Sequence, residues 1–409
     1  AFFMEATFVA LMFFGWNKMG RGAHLASTWL TVAGATLSAW WILVANAWMQ
    51  HPVGMEFNPE TVRNEMTDFC AVAFSPFAVG KFCHTVASAW VLGAVFTAGV
   101  SCYYLLVKKH AKFAHASLKV ACIFGLAAAL LTGHTGHQSA VAVAKEQPMK
   151  LAAAEGLYAG GNGVGLVGAG LLAPGTDWTT TDDSAFLCRI EIPYALSILA
   201  TSSMDGYVPG IQDIIKGGYT RPDGTVEPSV QEKMARGRAA VKALADFRAA
   251  RQAGDAAGME ASRKALAADY PYFGYAYIDS PSDLVPPVAP VFYGFRVMVM
   301  LGGYFIALFA GLLLLGKRVE RWPLVLWGVL LTIPLAWVAS EAGWVVAEVG
   351  RQPWAIQGIL PNCAAVSKLG VGSVATTFFI FLVLFTLLLV AEIRIMRKAI
   401  VEGPSVREQ

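Results

Sequence analysis

The sequence predicts an all-α integral membrane protein, a bundle of transmembrane helices interrupted by one large extracytoplasmic domain. Three observations carry that reading. The 409 residues are 56% hydrophobic and only 14% charged, an apolar excess beyond that of soluble domains. Seven stretches are apolar enough, some marginally, to supply the ~20 residues that cross a bilayer as helix. The connections between them are alternately rich and poor in Lys and Arg.

The first stretch is 1–17. It opens on Ala1-Phe2-Phe3-Met4-Glu5 with no charged leader, so it does not read as a signal peptide. We expect a span cut short, with the true N-terminus lying upstream. The remaining stretches are 24–48, 82–107, 116–133, 290–316, 323–348 and 370–393. One set of connections holds Lys18 and Arg21; Lys108, Lys109 and Lys112; Lys317, Arg318 and Arg321; and Arg394, Arg397, Lys398 and Arg407 at the tail. The alternate set holds only Arg63, Lys81, Arg351 and Lys368. The positive-inside rule places the richer set in the cytoplasm, with the C-terminus inside and residue 1 outside.

Residues 134–289 are polar, carry Gly, Pro and Asp clusters, and are too long for a simple loop. They divide the chain into 1–133, 134–289 and 290–409. Within the insertion, 229–268 is rich in Ala, Lys, Arg and Glu and predicts helix. The stretch Gly254-Asp-Ala-Ala-Gly258 predicts a break in it. A Pro-rich end, Pro281 to Pro290, leads back into the membrane. No internal repeat is evident.

Several chemistries lose support at once. The six cysteines form no C-x-x-C or C-x-x-C-H, so zinc, iron–sulfur and covalently attached haem have no motif. The net charge of +3 is mild, and no basic tract suggests nucleic acid.

The unusual residues are those placed by depth. Glu341 and Glu348 sit in or near the span that begins at Pro323, seven apart and therefore on one helical face. A charge at the centre of a span costs roughly 2.5–3.5 kcal/mol on insertion scales, so it marks a functional site once a partner can be named. Arg351, at the outer end, makes a plain ion pair with Glu348 an open alternative. His84 lies just inside the outer end of its span, and Met298 eight residues after Pro290. At 1.5 Å per residue, His84, Met298 and Glu341 share the outer half of the bilayer. His and Met are axial ligands that suit a low-spin, electron-transferring haem, and Arg296 could pair with a haem propionate. On spacing alone, a hydrogen-bonded structural His and a core-filling Met stay open. Trp337, Trp344 and Trp354 around Glu341 equally suit an interfacial aromatic belt.

Glu5 in the first span and Ser38 in the second could pass protons; Ser38 and Asn46, eight apart, could equally bond helix to helix. His134 and His137 open the outer domain beside Gly133 and Gly136, which suggest a turn rather than a metal site. Lys150 and Glu155, five apart, read as a solvated surface pair. Their place just outside the membrane would also suit the headgroup of a lipid-soluble quinol, which periodicity does not show.

Together these stretches closely resemble subunit I of the cytochrome bd ubiquinol oxidase family. The matching segments are Trp41-Ile-Leu-Val-Ala-Asn-Ala-Trp-Met-Gln50, Lys81-Phe-Cys-His-Thr-Val-Ala-Ser88, Lys150-Leu-Ala-Ala-Ala-Glu155, Ile192-Pro-Tyr-Ala-Leu196, Phe295-Arg-Val-Met298, and Glu341-Ala-Gly-Trp344 through Gly350-Arg-Gln-Pro-Trp354. They run nearly end to end. That subunit has nine spans, so the resemblance implies that the seven here are its third to ninth. It further implies that His84 and Met298 are axial ligands of a low-spin b haem, with Arg296 a basic neighbour. Glu341 matches the ligand of a high-spin b haem, and Trp337 an aromatic residue between haems. Lys150 and Glu155 match quinol-oxidation residues in the extracytoplasmic quinol loop. Glu5 and Ser38 match members of a proton route toward haem d.

The implied reaction is oxidation of two quinols, ubiquinol or menaquinol, with four-electron reduction of dioxygen to water. Quinol protons leave outside and protons for water arrive from the cytoplasm, generating proton motive force. The implied partners are subunit II, a small accessory subunit and membrane lipid, in a bacterial inner membrane with the quinol loop periplasmic. Three departures stand out: an N-terminal His ligand and a carboxylate upstream of Glu5 would precede residue 1, and Ala6 stands where some relatives have Ser. The rival readings are a b-type cytochrome that moves electrons without reducing oxygen, a transporter using Glu341 and Glu5, and an inert fragment. Paired intramembrane His would favour the first and repeat symmetry the second; neither is present.

Overall fold

The computed structural model describes residues 1–15, 18–181, 184–221 and 223–404; Arg407, one of the tail's basic residues, lies outside them. The helices are α1 (Phe2–Phe14), α2 (Arg21–Gln50), α3 (Phe69–Ala73), α4 (Pro76–Leu106), α5 (Ala111–Glu146), α6 (Pro148–Glu155), α7 (Ala195–Thr201), α8 (Ile211–Lys216), α9 (Val230–Ala253), α10 (Ala256–Asp269), α11 (Val288–Leu315), α12 (Pro323–Val349) and α13 (Val371–Glu402). Short antiparallel pairs fill the connections. They are β1 (Met55–Asn58) with β2 (Arg63–Met66), β3 (Gly161–Asn162) with β6 (Tyr207–Val208), β4 (Leu166–Leu172) with β5 (Phe186–Ile192), and β7 (Trp354–Ile356) with β8 (Leu360–Pro361).

Among the described residues, six helical segments are long and apolar enough to cross a membrane, built on α2, α4, α5, α11, α12 and α13. The expected seventh, over 1–17, is the shorter α1 of 13 residues. At 1.5 Å per residue it reaches only about 20 Å, short of the roughly 30 Å hydrocarbon core. Helix is the outcome wherever the chain meets lipid because it satisfies every backbone N–H and C=O internally. That also overturns the expected turn at Gly133 and Gly136. The helix runs through both to Glu146, since an interior Gly costs only ~1 kcal/mol.

The chain divides into two compact units. The first comprises Ala1–Ala89, Leu130–Gly302 and Ala339–Ala364; the second comprises Trp90–Ala129, Gly303–Val338 and the residues from Ala365. In the first, the backbone of Glu5 rests on Gly34 of α2, where a Cβ would come within 2.9 Å of its nitrogen. The outer helical hairpin forms as expected: Ser229 caps α9 on the Glu232 N–H, and Gly254 ends it at φ +71°. Asp255 then caps α10, so the predicted break is two caps back to back. A buried apolar cluster of Tyr158, Ile211, Ile215, Val230, Leu284 and Trp354 ties α8, α9 and the chain after α12 together.

The second unit is sparser. Tyr304 and Thr332 hydroxyls meet at 2.7 Å, His115 and Glu320 at 2.5 Å, and Tyr104 donates to the Ile400 carbonyl at 2.9 Å. No residue of α13 is buried.

Candidate functional site

His84 stands in α4, half-buried, with Nδ1 3.2 Å from the Thr135 hydroxyl of α5. Gly136 makes room for it, since a Cβ there would lie 3.2 Å from His84 Cε1. A ring held at Nδ1 by a neighbouring hydroxyl presents Nε2, the arrangement of iron- and zinc-bound imidazoles. Met298 in α11 is half-buried as well, and its sulfur lies 3.0 Å from where a Cβ on Gly343 of α12 would be. Both candidate ligands therefore lie against glycines, which is the form a cradle for a large planar group takes. The residues present fit a haem.

Arg296, two residues from Met298, is buried, and one guanidinium nitrogen lies 2.6 Å from Glu155 Oε2. A second nitrogen donates to the Ala154 carbonyl at 3.3 Å. The pair sits on apolar rings, with the guanidinium carbon 4.5 Å from the centre of Phe292. Two buried atoms of the pair, Arg296 Nε and Glu155 Oε1, have no hydrogen-bond partner among the described residues. Each such orphan costs roughly 1–3 kcal/mol unless something else engages it. Burial pushes the Glu155 carboxyl above its usual range, and Arg296 pulls it back.

Lys150 does not pair with Glu155, and neither is solvated. Both are buried, on different faces of α6. Gly350 permits this on the lysine side, because a Cβ there would lie 3.1 Å from Lys150 Cγ. On the glutamate side Gly156, at φ +63°, ends the helix where a Cβ would meet Phe186 at 2.9 Å. Lys150 Nζ donates to Gln50 Oε1 at 2.9 Å and to the Ala347 carbonyl at 3.0 Å. Burial pulls the Lys150 ammonium well below its ordinary range; Lys81 and Arg351 push the same way and Glu348 opposes them. A neutral amine has two N–H bonds and one lone pair. In that neutral form, with both N–H bonds used in these two contacts, the lone pair would remain to accept a proton.

Behind Lys150 runs a polar chain that spacing alone did not reveal. Gln50 Nε2 donates to Asn46 Oδ1 at 3.1 Å, and Lys81 Nζ donates to the same oxygen at 2.6 Å. Asn46 Nδ2 donates to Glu348 Oε1 at 2.8 Å, and Arg351 lies 2.8 Å from Glu348 Oε2. Asn46 thus bonds helix to helix, and Glu348 is more than one member of an ion pair. The Arg351–Glu348 ion pair was anticipated, while the residues missed as members of the site were Gln50 and Lys81. Their one sequence signal was Asn46 and Gln50, polar and one turn apart at the end of an apolar run.

The other expected residues are dispersed. Glu341 is exposed, with no described hydrogen bond or ion pair. Trp337, one turn earlier on α12, is exposed too. Glu5 packs by its backbone on Gly34, one turn from Ser38, but no described hydrogen bond joins the two side chains. His134 and His137 are exposed on α5, and His134 Nε2 faces the Gln138 side chain at 3.2 Å.

The chain resembles known proteins over nearly its whole length. The sequence matches the family described as cytochrome bd terminal oxidase subunit I over residues 1–404. It is 38% identical to the cytochrome bd-II ubiquinol oxidase subunit 1 of Escherichia coli, over 99% of this chain and 78% of that protein. It is 32% identical to the cytochrome bd ubiquinol oxidase subunit 1 of Bacillus subtilis, over 95% of this chain and 70% of that one. Among solved structures, the bd oxidase from Geobacillus thermodenitrificans shares the fold, with a TM-score of 0.69 at 23% identity, covering 98% of this chain and 76% of the other.

Proposed function

The chain belongs to the cytochrome bd terminal oxidase subunit I family, and from that premise we propose that it is the haem-carrying subunit of a quinol oxidase. In this reading quinol is oxidised beside Lys150 and Glu155, and dioxygen is reduced to water in the same complex of a bacterial plasma membrane. One observation supports it above the rest. Beside Arg296 the chain buries a carboxylate with one oxygen free of any described partner, and on the same short helix it buries a lysine whose Nζ donates to two oxygens. A soluble or structural role gives no return for that desolvation.

His84 and Met298 would hold a low-spin b haem, Glu341 a high-spin b haem, and a haem d completes the set. When bound, these groups carry electrons singly from quinol and reduce dioxygen. The chain's own residues do the rest. Lys150 accepts a quinol proton at its lone pair. Glu155 Oε1 accepts a hydrogen bond from the other hydroxyl, and Arg296 holds the carboxylate in place. Arg296 Nε, the orphan donor, suits a propionate. Glu5 and Ser38, on α1 and α2, are members of the proton route toward haem d. Proton release outside and uptake from the cytoplasm separate charge, with the C-terminus inside and residues 134–289 periplasmic. A second subunit, as in the family, and a small accessory subunit complete the complex; ubiquinol and menaquinol both suit the site.

The test is the reduced-minus-oxidised spectrum of the complex with single variants. Met298→Leu should perturb only the low-spin b signal. Glu341→Ala should remove the high-spin b signal, and Glu348→Ala should leave it. The reverse pattern would move the ligand to Glu348, and unaltered spectra in all three would end the ligand assignment.

A further inference from the structure

Lys150 also lines a cavity of about 90 Å³. Its walls carry Gln147, Lys150, Glu146, Glu227, Lys233 and Arg351. Two buried atoms on this wall, Gln147 Oε1 and Arg351 Nε, have no hydrogen-bond partner among the described residues. One is an acceptor and the other a donor, a pair of the kind that buried water engages. Size decides what the cavity holds. Room for about three waters, at roughly 30 Å³ each, is well short of the roughly 150 Å³ that takes a benzene-sized ring. That volume suits water and not the quinol ring.

Two carboxylates line it, and they differ. Glu227 is buried, with Oε1 on Lys233 and Oε2 on Arg221. Both of its oxygens are held by cations, which disfavours taking up a passing proton. Glu146, the last residue of α5, is about one-third exposed, and its Oε2 lies 3.4 Å from His51 Nδ1. His51 is equally exposed and follows the end of α2 directly. A carboxylate on the chamber wall, 3.4 Å from a partly exposed imidazole, links the chamber to the surface.

We propose that the chamber is a hydrated proton outlet, and that Glu146 and His51 at its rim pass the protons of oxidised quinol to the outer solution. The proposal rests on the reading of Lys150 as part of the quinol site. Each quinol gives two electrons to the oxidase's own electron route and two protons to the outlet. For each proton, an O–H bond of quinol breaks and an N–H bond forms at Lys150 Nζ. The proton then moves through chamber water to a Glu146 oxygen and the His51 ring, which releases it and returns to its starting state. The charged groups facing this route are Lys145, 3.9 Å from Glu146, with Lys150, Arg221, Lys233, Arg351 and Glu227 around the chamber.

The experiment uses the whole oxidase complex with His51→Asn and Glu146→Gln, each checked for an unchanged haem spectrum. With quinol as donor, kcat should fall by about tenfold, below the 10²–10⁴ that a group at the reacting atom itself supplies. KM should not move, the solvent deuterium isotope effect on kcat should rise, and added imidazole should restore His51→Asn. With tetramethylphenylenediamine, a one-electron donor that releases no proton, turnover should equal that of the unmutated complex. A density map of the complex should show ordered water joining Gln147 Oε1 to Arg351 Nε. Unchanged kcat in both variants, equal losses with both donors, a shift in KM alone, or a dry chamber each overturns the outlet. Lys150→Met tests the underlying reading separately: if that variant oxidises quinol normally, the quinol site itself is misplaced.

Discussion

Helices α6 and α13 stand at opposite extremes of this chain. The eight residues of α6 bury six positions, including Lys150 and Glu155. The 32 residues of α13 bury none, although 371–393 is almost wholly apolar. In water the reverse would be expected. Next to lipid an exposed leucine loses nothing, because acyl chains are as apolar as it is. A buried charge keeps its full desolvation cost in either solvent. In a membrane chain, then, exposed apolar surface says little about function, and buried charge says a great deal.

The largest break in that contrast is Glu155→Ala, which leaves Arg296 buried and unpaired. Removing one partner of a buried ion pair costs about 3–5 kcal/mol. Thermal unfolding of the complex, followed by loss of haem absorbance, should show it. Adding Arg296→Met should recover part of the loss, because no charge is then stranded. If the double variant is no more stable than the single one, the pair matters for its packing and not its charge.

Next comes Lys150→Met, which keeps the length of the stem on Gly350 and removes the amine. A base at the reacting group supplies about 10²–10⁴-fold, so quinol kcat/KM should fall by roughly that factor. Haem content should not change. Loss of haem instead would make Lys150 a structural residue.

The pH dependence has a definite sign. Burial holds the Lys150 ammonium well below its ordinary range, so in the folded chain the amine is neutral at pH values where an exposed lysine is charged. The groups facing it are Lys81, Glu348 and Arg351. As pH falls through its lowered value, Lys150 takes up a proton and loses its lone pair. Quinol oxidation should fall with it, and the same limb should vanish in Lys150→Met. Stability has the same sign: the folded chain binds fewer protons here than the unfolded chain between the lowered value and the ordinary lysine range, so this contribution grows as pH rises through that window.

What the sequence made legible divides along the same line. Spans followed from run length, and the α9–α10 break followed from Gly254 and Asp255, because both are local. The site is not local. Lys150 read as a solvated partner of Glu155 because nothing near it in sequence says that Gly350 will clear a place for its stem. Asn46 and Gln50 were visible as polar residues in an apolar run, but their bonds reach α4, α6 and α12. The family resemblance supplied Lys150 and Glu155; it did not supply the switch of partners, with Glu155 going to Arg296 and Lys150 to Gln50.

The smallest effect tests the other half of the contrast. Leu388, in the middle of α13, is 54% exposed. Were that surface in water when unfolded and buried when folded, Leu388→Ala would cost about 2–5 kcal/mol. Against lipid in both states, the transfer term drops out and only dispersion contacts differ, at ~0.1–0.2 kcal/mol per atom pair. We therefore expect haem content, quinol oxidation and thermal midpoint to stay within error of the unmutated complex. A Leu388→Lys variant supplies the scale, since a central charge costs roughly 2.5–3.5 kcal/mol on insertion. If Leu388→Ala alone destabilises the complex by as much as the lysine, protein and not lipid covers α13 there. Its emptiness would then be a property of the isolated chain, and α6 and α13 would differ only in which partner buries them.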